Sequence, residues 1–151
     1  MKMTAKYIAT LGPLGYLPAA GTVATIITLM LVGLLQGLVG SSLGYCLSVV
    51  VFCCCSATVI VYALPYYTHV VDPREIVLDE VIGTLITFTF NPLSWDGVAL
   101  GFVLFRFFDI FKPWPISFFE KLPGMWGIMG DDIAAGMISA GILHSALWYI
   151  A

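Results

Sequence analysis

Seven ionisable residues in the second half of the chain have types and spacings that could do chemistry: Asp79 with Glu80, Asp131 with Asp132, and the trio Arg106, Asp109 and Lys112. On a helix, Glu80, Gly83, Thr84 and Thr87 share one face at i, i+3, i+4 and i+7, as do Asp132, Ala135, Gly136, Ser139 and Ala140. Each acidic pair therefore heads a stripe of small side chains, and small stripes are where membrane helices approach closest. Two helices packed through these stripes would bring four carboxylates to one depth, where like charges repel and a cation is needed. Hard carboxylate oxygens suit Mg²⁺ better than a softer metal, so Asp79, Glu80, Asp131 and Asp132 are the expected ligands. The trio lies within a ~120° arc of a helix, setting a guanidinium fork and an ammonium on either side of a carboxylate. That set is suited to an oxyanion such as phosphate, with Asp109 orienting Arg106 or sharing the metal.

A blander reading exists for each group: acids are favoured at helix starts by the helix dipole, and Arg106 with Asp109 makes a structural i, i+3 pair. Against it stands the cost of charge near hydrocarbon, roughly 2.5 to 3.5 kcal/mol at mid-bilayer, in a chain that gathers most of its charge into three short clusters.

The elements that must position these residues belong to a membrane protein. Of 151 residues, 60% are hydrophobic and 10% charged, with mean hydropathy +1.01, where a soluble domain carries roughly 25% charge. No Asp, Glu, Lys or Arg stands between Lys6 and Asp72, room for at least two crossings of ~20 residues. The fold class expected is all-α, a polytopic helical bundle in one domain over residues 1–151. Ala19 to Val39 and Leu43 to Leu64 are two scaffold spans joined by a Gly40 to Ser42 turn. Gly33 with Gly37, and Gly40 with Gly44, have the spacing of close helix packing.

Asp72, Pro73 and Glu75 read as a capping-box start for a helix from Pro73 to about Phe90, stopped by Asn91 and Pro92. After Asp96 and Gly97, Val98 to Phe111 runs back to Pro113 and Pro115. These apolar arms reach about 21 to 23 Å at roughly 1.5 Å per residue, short of a ~30 Å hydrocarbon core, so they form a re-entrant hairpin or two shallow crossings. Lys112 to Gly130 is a loop, and a final span runs from Asp131 to Ile150. This topology places Lys2, Lys6, Arg74, Arg106, Lys112 and Lys121 on one side, which the positive-inside rule makes the cytoplasm.

Several classes are excluded. A net charge of −3 offers no basic patch for nucleic acid, and the apolar content excludes disorder. Cys46, Cys53, Cys54 and Cys55 sit in apolar sequence as small hydrophobes, without metal-ligand spacing or a disulfide framework. The N-terminal apolar stretch after Lys2 and Lys6 is broken by Gly12, Pro13 and Gly15 and reads as retained rather than cleaved. His69 reads as a loop residue and His144 as a packed or lumen-side helical one. Trp114, Trp126, Phe118 and Phe119 suit an aromatic belt at headgroup level. No Cys is followed six positions on by Arg and no DxD pair exists, so cysteine-phosphatase and common aspartyl-phosphate chemistries lack their residues. Asp96 and Gly97 lack the following Ala-Arg of CDP-alcohol phosphotransferases.

Phe102, Phe105, Arg106, Asp109, Lys112, Pro113, Pro115 and Ile116 resemble the FxxFRxxDxxKPxPI pattern of the phosphatidylglycerophosphatase A family. Asp79, Glu80 and Gly83 resemble its DExxG element, and Gly127, Ile128, Met129, Asp131, Asp132, Ala135 and Gly136 its GIMxDDxxAG element. Gly12, Gly15, Pro18, Gly21 and Thr22 resemble its opening, with Ala20 where proline is usual and Ala24 where glycine is usual. The resemblance covers most of the chain from Thr10 to Gly141. It implies a bacterial inner-membrane enzyme that uses Mg²⁺ to remove the terminal phosphate of the phospholipid phosphatidylglycerophosphate, giving phosphatidylglycerol. Asp79, Arg106, Asp109, Lys112 and Asp132 would be its catalytic residues, facing the cytoplasm. The competing class is a small transporter or channel component with an acidic ion site, which should show pseudo-symmetric halves. Here the first 70 or so residues are nearly uncharged and the rest holds the charge.

Overall fold

A computed structural model describes residues 2–67 and 73–150, and within them the chain forms seven α-helices and no strand. They are α1 (Lys2–Ala9), α2 (Ala20–Val39), α3 (Ser42–Ala63), α4 (Leu78–Thr87), α5 (Trp95–Phe111), α6 (Ile116–Phe119) and α7 (Met125–Ile150), with 3₁₀ turns at Gly12–Tyr16 and Leu64–Tyr66. The all-α expectation holds, and α2 and α3 are each long and apolar enough to cross a membrane. Ile26, Met30, Leu34, Leu38, Leu43 and Leu47 on these two helices face outward, a surface suited to acyl chains and costly in water.

Local chemistry sets the scaffold boundaries. Gly40 takes φ 64° and returns its N–H to the Gln36 carbonyl, ending α2, because a residue without Cβ adopts this left-handed conformation cheaply. Ser41 then caps α3, its Oγ accepting from Gly44 N at 3.2 Å, and Ser94 caps α5 through Gly97 N at 3.1 Å. Gly33 and Gly37 do not act as expected, since nothing would meet a Cβ on Gly37 within 4 Å and Gly33 only makes room for Leu93. Gly44 of the second pair is in close contact, a Cβ there standing 2.1 Å from the Val39 side chain of α2.

At the centre lies α4. It packs most extensively on α7 and also against α2, α3 and α5, and every residue from Leu78 to Thr87 except Glu80 and Ile86 is buried. Its start differs from the sequence expectation by about a turn and a half. Asp72 and His69 lie outside the described residues, and Pro73 to Val77 are non-helical because their backbone is tied elsewhere. Val77 N donates to the Ala9 carbonyl at 3.1 Å, and Gly15 lies so close beneath the Glu75 carbonyl that a Cβ there would overlap it.

The far end of α4 is closed by side chains from three directions. Tyr45 on α3 donates to the Leu85 carbonyl (2.9 Å), Gln36 on α2 to those of Phe88 (3.3 Å) and Asn91 (2.9 Å), and Asn91 Nδ2 to Thr87 (3.0 Å) and Ala140 of α7 (3.1 Å). Backbone carbonyls at membrane depth must be satisfied within the protein, and these bonds do so where α4 stops. Phe90 at φ 65° and Pro92 complete the turn. Phe90, Asn91 and Pro92 share one cleft with Gly40, Ser41 and Ser42 of the α2–α3 turn. The α4–α5 hairpin thus reaches the level of that turn instead of doubling back half-way.

Two further boundaries moved. The final helix begins at Met125, not Asp131: Ile128 and Met129 are buried, and Gly127 fits against the Leu122 carbonyl, so packing overrides a glycine-rich sequence. Within the expected 112–130 loop, α6 forms around the fully buried Ile116.

Replacing Asn91 by Ala strips the Thr87 and Ala140 carbonyls of a buried donor. We expect a loss of about 1–3 kcal/mol in unfolding free energy, measured by denaturant titration in detergent micelles. An unchanged midpoint would show that the α4 terminus does not depend on this amide.

Candidate active site

The two small stripes meet. A Cβ on Gly136 would stand 2.5 Å from the Gly83 carbonyl oxygen and 3.1 Å from its Cα, and one on Gly83 would stand 2.8 Å from the Asp132 carbonyl oxygen. α4 and α7 therefore touch backbone to backbone. One turn from that contact, carboxylate oxygens of Asp79, Glu80 and Asp132 lie within 4.8 Å of one another. Asp132 is the eighth residue of α7, about 10 Å from its start at ~1.5 Å per residue. The dipole account of acids at a helix start does not apply to it.

Asp131 takes a different place. Its Oδ2 accepts from Lys112 Nζ at 2.5 Å, and the same ammonium donates to Glu120 at 3.1 Å. Lys112 reaches both because it caps α5 in a left-handed conformation, φ 43°, which turns the chain toward α6. Desolvation pulls the Lys112 ammonium down, but hydrogen bonding and charge from Asp131, then Glu120, outweigh it and hold the group above the ordinary lysine range. A lysine raised in the fold contributes its stabilisation below its unfolded value, ~10.4, and loses it only as pH climbs through the higher folded one. The bridge is therefore intact throughout the neutral range.

Arg106 and Asp109 form an ion pair on the surface of α5 that faces α4. The Arg106 guanidinium also flanks Glu80: a Cβ on Gly21 of α2 would overlap the Glu80 carboxylate and lie 3.1 Å from an Arg106 terminal nitrogen. Gly21 thus makes room for this charge pair. Of the residues expected to act, Asp79, Glu80, Asp109, Lys112, Asp131 and Asp132 line one cleft of about 150 Å³, with Arg74 and Ile128 among its other walls. Arg106 stands behind it. His144 is exposed, three turns along α7 from Asp132, so of the packed and lumen-side positions expected it does not take the packed one.

Glu80 Oε2, Asp132 Oδ1 and Arg106 Nε are buried and have no hydrogen-bond partner among the described residues. Asp132 is only 4% exposed. Orphaned carboxylate oxygens this deep need compensation, and the donor set is all hard oxygen, which fits a small divalent cation. Five carboxylates and three cations, Arg74, Arg106 and Lys112, gather at this cleft, so acids outnumber bases.

The phosphatidylglycerophosphatase A family model matches residues 7–147. The chain belongs to that family. A Phosphatidylglycerophosphatase A from Escherichia coli K12 is 53% identical over 75 residues, 48% of this chain and 44% of that protein. One from Haemophilus influenzae is 41% identical over 81 residues, 52% of this chain and 50% of that protein. The chain thus matches about half the length of these curated relatives. No solved structure matches it.

Sequence reasoning missed Glu120, whose partner Lys112 is eight residues away across a turn, and gave no role to Gly21 or Gln36. Gln36 did carry a signal, since it is the one side-chain amide within its apolar span and polar side chains in such spans are rarely idle.

Gly136→Ala must push α4 from α7, because the atoms a methyl meets are backbone. The expected cost is about 1–3 kcal/mol, whereas Gly141→Ala, with open space around it, is expected to be neutral or to stabilise slightly. Paired thermal melts in detergent check this, and equal melting temperatures for the two variants would contradict the close contact.

Proposed function

We propose that this chain is a Mg²⁺-dependent lipid phosphatase that hydrolyses the terminal phosphate of phosphatidylglycerophosphate, leaving phosphatidylglycerol, at the cytoplasmic face of a bacterial inner membrane. The observation that carries the reading is the deep cluster of Asp79, Glu80 and Asp132, with two orphaned oxygens, beside the cations Arg106 and Lys112. Family membership supports the reaction, and the outward apolar face of α2 and α3 supports a lipid-embedded enzyme.

Asp79, Glu80 and Asp132 would hold the cation, with Asp131 beside them tethered by Lys112. Bound there, Mg²⁺ supplies Lewis acidity for a phosphoryl group and lowers the pKa of water, which phosphate monoester hydrolysis lacks unaided. Arg106, kept in one orientation by Asp109, presents a fork to phosphate oxygens, and Lys112 at the cleft wall offers a point charge. Water adds to phosphorus, the bond from phosphorus to the headgroup oxygen breaks, and that oxygen takes up a proton. Inorganic phosphate leaves, while the lipid alcohol keeps its acyl chains in the bilayer. Lys6, Arg74, Arg106 and Lys112 all belong to the cluster end of the bundle, which the positive-inside rule assigns to the cytoplasm.

Phosphate release from phosphatidylglycerophosphate in detergent micelles tests the reading. Activity should require Mg²⁺ and stop with EDTA. Asp132→Asn should lower kcat at least about 100-fold, ~2.7 kcal/mol of barrier, while still giving a cooperative thermal melt. Folded wild type that releases no phosphate with any divalent metal would sink the reading, and ion flux in liposomes would become the next measurement.

A further inference from the structure

We propose that a groove beside the carboxylate cleft is a second anion subsite, with Arg74 as its cation, that takes the phosphodiester of a lipid whose terminal monoester lies in the cleft. This rests on the function proposed above and adds what that reading lacks, a basis for choosing a lipid with two phosphates over one with a single phosphate.

The groove has a volume of about 470 Å³, and its walls include Tyr16, Leu17, Ala20, Gly21, Arg74 and Glu75. Two residues join it to the catalytic cleft. Arg74 lines both cavities. Gly21 lines the groove, and its missing side chain is what lets the Glu80 carboxylate and the Arg106 guanidinium approach that wall. The two cavities therefore share Arg74 as a wall, and a ligand with two anionic groups would span them.

Charge distinguishes Arg74 from its neighbours. Arg106 is engaged by Asp109, and Lys112 by Asp131 and Glu120. Arg74 makes no ion pair among the described residues and is exposed. Its backbone is nevertheless held: Ile76 N bonds to the Pro73 carbonyl at 2.9 Å, Val77 N to the Ala9 carbonyl at 3.1 Å, and the Glu75 carbonyl rests on Gly15. A cation on a fixed segment gives up less freedom on binding than one on a loose loop.

The other walls indicate which anion. Glu75 adds a carboxylate, which disfavours a doubly charged monoester but tolerates a singly charged diester and can accept from the hydroxyl of the bridging glycerol. Tyr16 and Leu17 are 58% and 46% exposed and give the groove a largely apolar rim, against which acyl chains would lie. The lipid is thus oriented with its monoester inward and its tails outward.

The test compares phosphatidylglycerophosphate with phosphatidate, which has a monoester but no diester, as substrates of wild type, Arg74→Ala and Arg74→Lys. Nonionic detergent keeps bulk anionic lipid from supplying the diester. Arg74→Ala should raise KM for the two-phosphate lipid about 10-fold with kcat nearly kept, the signature of lost ground-state binding. Its effect on phosphatidate should be under about 2-fold, and Arg74→Lys should recover part of the loss through charge without the fork. Equal losses on both lipids, no loss on either, or a fall confined to kcat would overturn the subsite while leaving the phosphatase reading intact. If wild type ignores phosphatidate, the KM-against-kcat split on the two-phosphate lipid decides alone. Wild type inactive on both lipids would overturn the subsite and the phosphatase reading together.

Discussion

Contact between the backbones of Gly83 and Gly136 sets the distance on which the site depends. Glu80 precedes Gly83 by one turn and Asp132 precedes Gly136 by one turn, so the separation of the helix axes fixes that of the carboxylates. Any side chain larger than hydrogen at either glycine would widen the gap and loosen the cluster. The rest of the bundle can be understood as holding α4 against α7: α2 and α3 wrap its other faces, Phe105 of α5 closes over Gly83, and Gln36, Tyr45 and Asn91 bind its last carbonyls.

Charge is then divided by position. Two carboxylates are bound to cations of α5, Asp109 to Arg106 and Asp131 to Lys112, and each pair immobilises a cation as much as it neutralises an acid. Exposed ion pairs contribute little to stability, but these are shielded enough to set orientation. Glu80 Oε2 and Asp132 Oδ1 are left buried without a hydrogen-bond partner among the described residues, beside Asp79.

Much of this was legible in the sequence because it rests on helical period. The stripes headed by Glu80 and Asp132 follow from spacing alone, as does the Arg106 and Asp109 pair, whereas Lys112 leaves the expected arc because it ends α5 in a left-handed conformation. The limits of the helices were harder to read. Leu78 begins α4 because Val77 is bound to Ala9, nearly seventy residues earlier, and no local rule anticipates that tether. Met125 begins α7 in spite of two glycines in its first two turns, since burial of Ile128 and Met129 outweighs weak propensity. The Gly33 and Gly37 pair shows the reverse error, a helix-packing motif in which Gly33 admits only the Leu93 side chain and Gly37 meets nothing among the described residues.

The brevity of α4 also bears on how the protein is made. At ten residues, about 15 Å long, and carrying two acids in its first turn, it cannot partition into a bilayer by itself as α2 and α3 can. Its most extensive partner, α7, follows it in the chain and is synthesised after it. Until α7 arrives, Gly83 has no backbone to rest on and Glu80 has no Asp132 opposite. Assembly of the carboxylate cluster therefore waits for α7, and a nascent chain halted before it carries half a site.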